Sequence, residues 1–206
     1  MDFDFSQIDI LLPNYLSTID KGRLIEGLKQ FKETKNISAN FFLNKNNDYF
    51  LQSDILTEIR YPIWNVSNSN YEKKYCDAII ISTTCDIEFD SKKRFINKEI
   101  LFAPLVEYDI FISELQENKI DATKISDTLK KQEYSNLFYL PKNNQNHKEY
   151  IALLDQLFWF PSKELNSYTP DISSNRILSL DYFGFYLFIL KLSYHLCRLP
   201  EDQHRT

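Results

Sequence analysis

The chain has 206 residues, a formal net charge of −5, 43% hydrophobic residues and 26% charged residues. This length and composition suit one domain that buries a core of its own. Only three glycines are present, and neither a dinucleotide-binding G-x-G-x-x-G nor a Walker-type phosphate loop occurs. The acidic balance also argues against tight binding to nucleic-acid phosphates.

The cysteines, the N-terminal sequence and the longest apolar run indicate which cellular compartment to expect. Three cysteines, Cys76, Cys85 and Cys197, show no C-x-x-C spacing, so we expect free thiols in a reducing compartment, with no metal and no cofactor. The acidic start MDFDFSQIDI does not resemble a signal peptide. The longest apolar run, residues 183–190, is too short to cross a bilayer. We therefore expect a cytoplasmic protein without membrane contact.

The first half of the chain predicts one helix and then a strand-rich middle. Asp20 can cap a helix over residues 20–33, and a short strand is expected at 41–43. Residues 49–59 follow as a strand that Pro62 ends, and residues 65–70 form a loop.

The run CDAIIISTTCD at 76–86 is the clearest strand in the sequence. Its centre, Ala78-Ile79-Ile80-Ile81, is continuously apolar and does not alternate with polar residues. That pattern indicates a strand buried on both faces. A charged, hairpin-like connection is expected at 88–97, and a strand at 99–107 in which Pro104 suggests an edge position or a bulge.

The second half predicts a helical excursion within the strands. Residues 109–133 are expected to form two short helices, the second starting at Asp121 or Ala122. Strands at 136–140 and 150–160, a short helical turn after Pro161 and a strand at 176–180 follow, and Asp181 caps a helix to about 198. The expected organisation is an N-terminal arm and helix (1–45), a barrel domain (46–200) with a helical insertion (109–133), and a tail (201–206). The fold class is α+β, a small barrel decorated by helices.

Five segments, in order, resemble strands of the MazF/PemK ribonuclease toxins. They are QSDIL at 52–56 for R-G-D-[IV], CDAIII at 76–81 for R-P-V-[LV]-V-I, LFAPLV at 101–106 for [IV]-V-A-P-[IL]-T, ALLDQLF at 152–158 for [VI]-L-[LC]-[ED]-Q-[IV]-R, and RILSLD at 176–181 for [KR]-[IL]-x-x-L-[DS]. The resemblance implies an SH3-like barrel with a C-terminal helix and, for the family, cleavage of RNA.

The family's chemistry does not carry over to these residues. The resemblance implies a catalytic arginine at Cys76, a threonine or serine at Val106 and a second arginine at Phe158. A thiol supplies no fixed cation, and valine donates no hydrogen bond. Gln156 matches the family pattern and can serve the fold alone.

Two further groups of residues are candidates for a site. Thr83, Thr84, Cys85 and Asp86 follow the apolar strand, either as a capped turn or, for Cys85, as a nucleophile paired with His195. Trp159 and Phe160 are adjacent in a strand, so we expect one in the core and the other exposed as a binding residue.

Two functions follow. The first is a non-catalytic MazF-like protein that binds a protein partner or a second copy, as a regulator or assembly component in a bacterial defence or toxin–antitoxin operon, with Trp159, Phe160, Gln156, Cys85 and Asp86 as binding residues. The alternative is an RNA endoribonuclease with a rebuilt site. Its catalytic groups are drawn from Thr83, Thr84 and the basic run Lys92, Lys93 and Arg94, a run that is otherwise a solvated loop. The apolar C-terminal helix lies in the core or is partly covered by a partner.

Overall fold

A computed structural model gives an α+β fold, and it describes residues 17–34, 41–43, 48–87, 99–142, 147–165 and 172–197. Helices and strands in the described residues are α1 Thr18–Thr34, β1 Ile55–Asn65, β2 Asn70–Ile80, α2 Thr84–Ile87, β3 Glu99–Glu107, α3 Tyr108–Glu117, α4 Ala122–Lys130, β4 Leu137–Leu140, β5 Tyr150–Leu153, β6 Phe158–Pro161, α5 Ser162–Leu165, α6 Ile172–Asn175, β7 Arg176–Leu178 and α7 Tyr182–Cys197. No helix in these ranges is long and apolar enough to cross a membrane.

The strands form one antiparallel sheet in the order β4-β5-β3-β2-β1-β7, and β6 pairs with β3 as well. β5 pairs with the last residues of β3 and β6 with its first residues. The strand predicted at 150–160 is therefore two strands, β5 and β6, separated by a turn.

Burial on both faces defines the centre of the sheet. Ala78 and Ile80 contribute to one apolar cluster and Ile79 to another, and all three have no exposed surface. The prediction of a strand buried on both sides is confirmed for this stretch. The strand starts earlier than predicted, at Asn70, and also ends earlier, at Ile80. Thr84–Ile87, whose first three residues were predicted to belong to the strand, forms the short helix α2.

Helices α1 and α7 cover the first face of the sheet. Leu24 and Leu28 of α1 join Phe183, Leu187 and Phe188 of α7 in a cluster with residues from the sheet. Gly184 of α7 lies so close to the carbonyl of Phe41 that a Cβ at this position would overlap the carbonyl oxygen. Glycine is needed here for the backbone of segment 41–43 to approach α7.

The second face curls around its own apolar cluster, which we call the inner cluster. Leu56, Ile80, Phe102, Phe158 and Phe160 are among its buried members. Across this cluster Tyr61 of β1 meets Phe158 of β6 edge-to-face, with ring centroids 4.8 Å apart. No backbone ladder joins β1 to β6 in the residues described, so the expected barrel is curled but not closed.

The helical insertion contains two helices, as predicted. Asp121 caps α4 by accepting hydrogen bonds from the backbone N–H groups of Thr123 and Lys124. Leu129 of α4 packs with Tyr108, Tyr139 and Ile151 in a third apolar cluster, which lies on the sheet. These helices therefore cover the β4–β5 end of the second face.

Pro62 does not end β1, contrary to the sequence prediction. It pairs with Lys73 in the middle of a long β1–β2 hairpin whose ladder runs to Asn65 and Asn70. In the described residues β7 pairs only with Ile55 and Leu56 of β1. The outer edge of β1 is therefore open at Pro62, where a residue without an N–H group is tolerated.

Pro104 lies in a central strand, between β2 and β5, and not at an edge of the sheet. It pairs with Ala78 on one side. On the other side it falls between the β6 ladder, which ends at Phe102, and the β5 ladder, which begins at Leu105. The predicted edge position is therefore wrong, and the β2–β3 ladder shows no register shift that would mark a bulge at Pro104. The proline lies where the partner of β3 changes from β6 to β5.

A buried ion pair joins β7 to the segment just before β1. Arg176 Nη1 lies 3.0 Å from Asp54 Oδ2, and the two side chains are 1% and 0% exposed. Asp54 also accepts hydrogen bonds from Ser179 Oγ at 2.6 Å and from the backbone N–H of Leu51 at 2.9 Å. Burial raises the pKa of Asp54, and these bonds together with the charge of Arg176 partly reverse that effect.

We expect Arg176→Leu to lower the free energy of unfolding by about 3–5 kcal/mol, because it leaves the Asp54 carboxylate buried without a countercharge. The control is Arg60→Leu, which removes a partly exposed ion pair with Glu164 of 2.6 Å and should cost less than about 1 kcal/mol. Urea unfolding of both variants measures the difference. Equal losses in the two variants would contradict the role given to Arg176.

A side chain protects the outer edge of β4. Gln132 donates from Nε2 to the carbonyl of Tyr139 at 2.6 Å and accepts from the Tyr139 N–H at 3.1 Å, as a neighbouring strand would. The carbonyl of Gln132 in turn accepts a hydrogen bond from Lys191 Nζ of α7. Burial lowers the pKa of Lys191 to about 8, and Glu133 opposes this shift.

Stability should therefore depend on pH through Lys191. Between pH 8 and 10.5 the unfolded chain holds a proton that the folded chain has released, so the free energy of unfolding rises with pH in this window. Across this window the free energy of unfolding of the wild type should rise by on the order of 1–2 kcal/mol more than that of Lys191→Met. Urea unfolding at pH 7.5, 9 and 10 measures this gain, and the exposed Lys163→Met is the control. Parallel curves for wild type and Lys191→Met would refute it.

Candidate functional site

The three positions that the resemblance marks for catalysis face the same side of the sheet. Phe158 belongs to the inner cluster, and Cys76 packs against it. Val106 lies four residues after Phe102 on β3, so by alternation its side chain is on the side of Phe102 and the inner cluster. The fold thus brings these positions onto one surface, but the groups they carry are a thiol, an isopropyl group and a phenyl ring.

Cys76 is unsuited to acid–base or cationic chemistry in this setting. Burial, reinforced by the charge of Asp77, raises the pKa of its thiol to about 12. The sulfur is therefore a neutral thiol at physiological pH. An uncharged, half-buried thiol stabilises neither a phosphorane anion nor a leaving group.

Gln156 lies in the turn between β5 and β6 and is exposed. Its Oε1 accepts a hydrogen bond of 3.3 Å from the hydroxyl of Tyr61, whose ring contacts Phe158. This contact joins β1 to the β5–β6 turn on the side where the barrel stays open. In the structure Gln156 therefore supports the curl of the sheet.

The polar group after β2 forms a short helical turn with side-chain hydrogen bonds. Thr83 Oγ1 donates to Asp86 Oδ2 at 2.9 Å, and Thr84 Oγ1 accepts from the backbone N–H of Gln52 at 3.1 Å. Cys85 is an exposed free thiol. The proposed cationic partners of this group, Lys92, Lys93 and Arg94, lie outside the described residues.

Cys85 and His195 are not brought together. Thr84, next to Cys85, shares a pocket with Phe185 of α7. His195 lies ten residues farther along the helix, which is about 15 Å. In the described part of the chain no hydrogen bond joins the two side chains, so the structure offers no Cys–His pair.

Trp159 is the exposed member of the aromatic pair. It is 60% exposed, whereas Phe160 is 2% exposed and belongs to the inner cluster. Trp159 pairs with Leu101 of β3 and points away from Phe158 and Phe160, its neighbours in β6. Phe160 is a core residue, and Trp159 is the residue of this pair that a partner can reach.

A pocket beside the start of α7 was not predicted from the sequence. Its volume is about 390 Å³, and its lining includes Tyr49, Gln52, Thr84, Asp181 and Phe185. Only Thr84 was singled out among candidate catalytic groups. A signal was present, because Asp181 caps α7 and aromatic residues follow it, but the neighbouring Tyr49 comes from a distant part of the chain.

Comparison with known proteins identifies no relative: no family model, no curated protein and no solved structure matches this chain. In the described residues, no three His, Cys, Asp or Glu side chains are grouped so that they could hold a metal ion.

The two described thiols should differ sharply in reactivity. In a Cys197→Ser background, we expect DTNB at pH 8 to label Cys85 at least about a hundredfold faster than Cys76, since only the thiolate reacts. Single Cys85→Ser and Cys76→Ser variants assign the two phases, and both thiols should react fast in guanidinium. Fast labelling of Cys76 in the folded protein would refute its assigned environment.

Proposed function

We propose that this chain is a divergent, non-catalytic MazF/PemK-like protein with an SH3-like arrangement of strands. In this proposal it acts by binding a protein partner or a second copy of itself, as a regulator or assembly component. A bacterial defence or toxin–antitoxin operon is the setting that the family resemblance suggests.

One backbone feature and one side-chain contact are consistent with the resemblance. Ser53 has φ 72°, in the left-handed region that favours glycine, at the position where the family motif R-G-D has glycine. Asp54 of that segment pairs with Arg176 of the last matched segment. Two motifs far apart in the sequence thus meet through the residues that carry the match.

The residues on the would-be catalytic face support a binding function over RNA cleavage. Cys76 and Phe158 contribute to an apolar environment, and Val106 has no polar side-chain atom. Cleavage through the 2′-hydroxyl needs a proton acceptor and a cation at the phosphate. None of these three side chains serves either role.

The observation that carries the binding proposal is the exposure of Trp159. A tryptophan that is 60% exposed, between two buried phenylalanines of one strand, is held on a rigid element. Tryptophan is among the residues most enriched at energetic centres of protein interfaces. Burying it against a partner would remove a large apolar surface from water.

The proposal is tested by affinity purification of the tagged chain from its native cells, followed by a binding titration with the partner. We expect a stoichiometric partner, or a self-associated form by sedimentation, and at least about tenfold weaker binding by Trp159→Ala. The control Tyr75→Ala removes an aromatic ring that is 68% exposed on β2 and should bind as wild type does.

RNA cleavage is the outcome that would reverse the assignment. The purified chain is incubated with single-stranded RNA, alongside Thr84→Ala and Lys93→Ala variants. We expect no cleavage by any of them. Cleavage that either substitution abolishes would establish the alternative, a ribonuclease with a rebuilt site.

A further inference from the structure

The pocket beside the start of α7 is walled by aromatic rings. Tyr49, Tyr182 and Phe185 all line its volume of about 390 Å³, which lies within the usual range for ligand sites. Tyr49 and Tyr182 are 57% and 42% exposed, so a ligand can reach them from solvent. Aromatic faces are electron-rich and attract cations that settle over them.

The same pocket contains one acidic side chain, Asp181. Its Oδ1 accepts a hydrogen bond of 2.7 Å from the backbone N–H of Tyr182, which fixes the carboxylate at the start of α7. A carboxylate offers about four acceptor positions, and this bond uses one. None of the described lining residues is lysine or arginine, so the lining favours a cation.

A second cavity adjoins the first, and its lining is also more acidic than basic. Its volume is about 730 Å³, and it shares Asp181 and Tyr182 with the first pocket. Asp20 and Glu26 of α1 add two carboxylates, and Arg23 is the only cation among the described residues that line this cavity. Together the two cavities form a groove around the start of α7 in which acidic groups outnumber basic ones.

An anionic ligand is less suited to this groove than a cationic one. The start of α7 carries about half a positive charge from the helix dipole, but Asp181 places a full negative charge there. The chain as a whole has a charge of −5, which attracts cations and repels phosphates.

We propose that this groove binds an arginine-containing, basic segment of a protein partner, with the guanidinium group in the pocket of Tyr49, Tyr182 and Phe185. The flat guanidinium stacks on aromatic rings and donates paired hydrogen bonds to a carboxylate. Asp181 accepts those bonds, and Asp20 and Glu26 face further basic residues of the segment. This inference rests on the proposed function in that the partner is a protein.

The experiment is a calorimetric titration of the purified chain with a capped peptide that has one arginine among serines and alanines. The matched probe is the same peptide with citrulline, which has nearly the same shape but no charge. We expect the arginine peptide to bind at least about fivefold more tightly than the citrulline peptide. Equal affinities, or no binding of the arginine peptide, would overturn the proposal.

Variants locate the binding to this pocket. Asp181→Asn retains a good helix cap while it removes the charge, so it should fold and lose the preference for arginine over citrulline. Tyr49→Leu should lower the affinity for the arginine peptide at least about threefold. The control Tyr194→Leu changes a tyrosine that is 45% exposed near the other end of α7. Unchanged binding by Asp181→Asn, or an equal loss in Tyr194→Leu, refutes the site.

Failure of this inference is distinguishable from failure of the proposed function. Trp159→Ala should bind the arginine peptide as wild type does, and a loss of peptide binding in that variant would count against a separate pocket. A chain that binds the arginine peptide but recovers no partner from cells would overturn the proposed function and support the pocket. If a captured partner binds Asp181→Asn as tightly as it binds the wild type, the groove is not the binding site of that partner and the inference is wrong.

Discussion

The Asp54–Arg176 ion pair is the contact on which the arrangement of the sheet most depends. It holds the start of β1 against β7, two segments separated by more than half of the chain. Ser179 and the Leu51 N–H complete the bonding of the carboxylate. Removing two charges from water is costly unless they are paired, and a shift of β7 along β1 would separate this buried pair.

The inner cluster explains why the positions that the sequence resemblance marks for catalysis carry no ribonuclease chemistry in this chain. Among the described residues the curled sheet is held by apolar contacts such as Tyr61 with Phe158, and no backbone ladder closes it there. Cationic side chains at Cys76 and Phe158 would have to be buried among those rings. Phe158 is thus a packing residue of the inner cluster, and the half-buried Cys76 packs against that cluster.

The two surfaces that we propose for recognition, both in the described part of the chain, differ in chemistry. Trp159 presents an apolar ring on the outside of β6. The groove at the start of α7 combines aromatic rings with Asp181 and the acids of α1. A partner that used both would combine apolar burial with charge complementarity, which contributes more to specificity and association rate than to affinity.

The sequence by itself determined the elements whose pattern is local. Ala78–Ile80 form a strand buried on both faces, Asp121 starts a helix, and the pair Trp159 and Phe160 has one exposed and one buried ring, all as their local patterns predict. Tertiary structure decided how Pro62 is tolerated, where the strand 150–160 divides and that Asp181 meets Tyr49 in one pocket. These depend on which strand lies alongside and on residues far apart in the chain, and periodicity, which reports only neighbours a few residues away, carries no information about either.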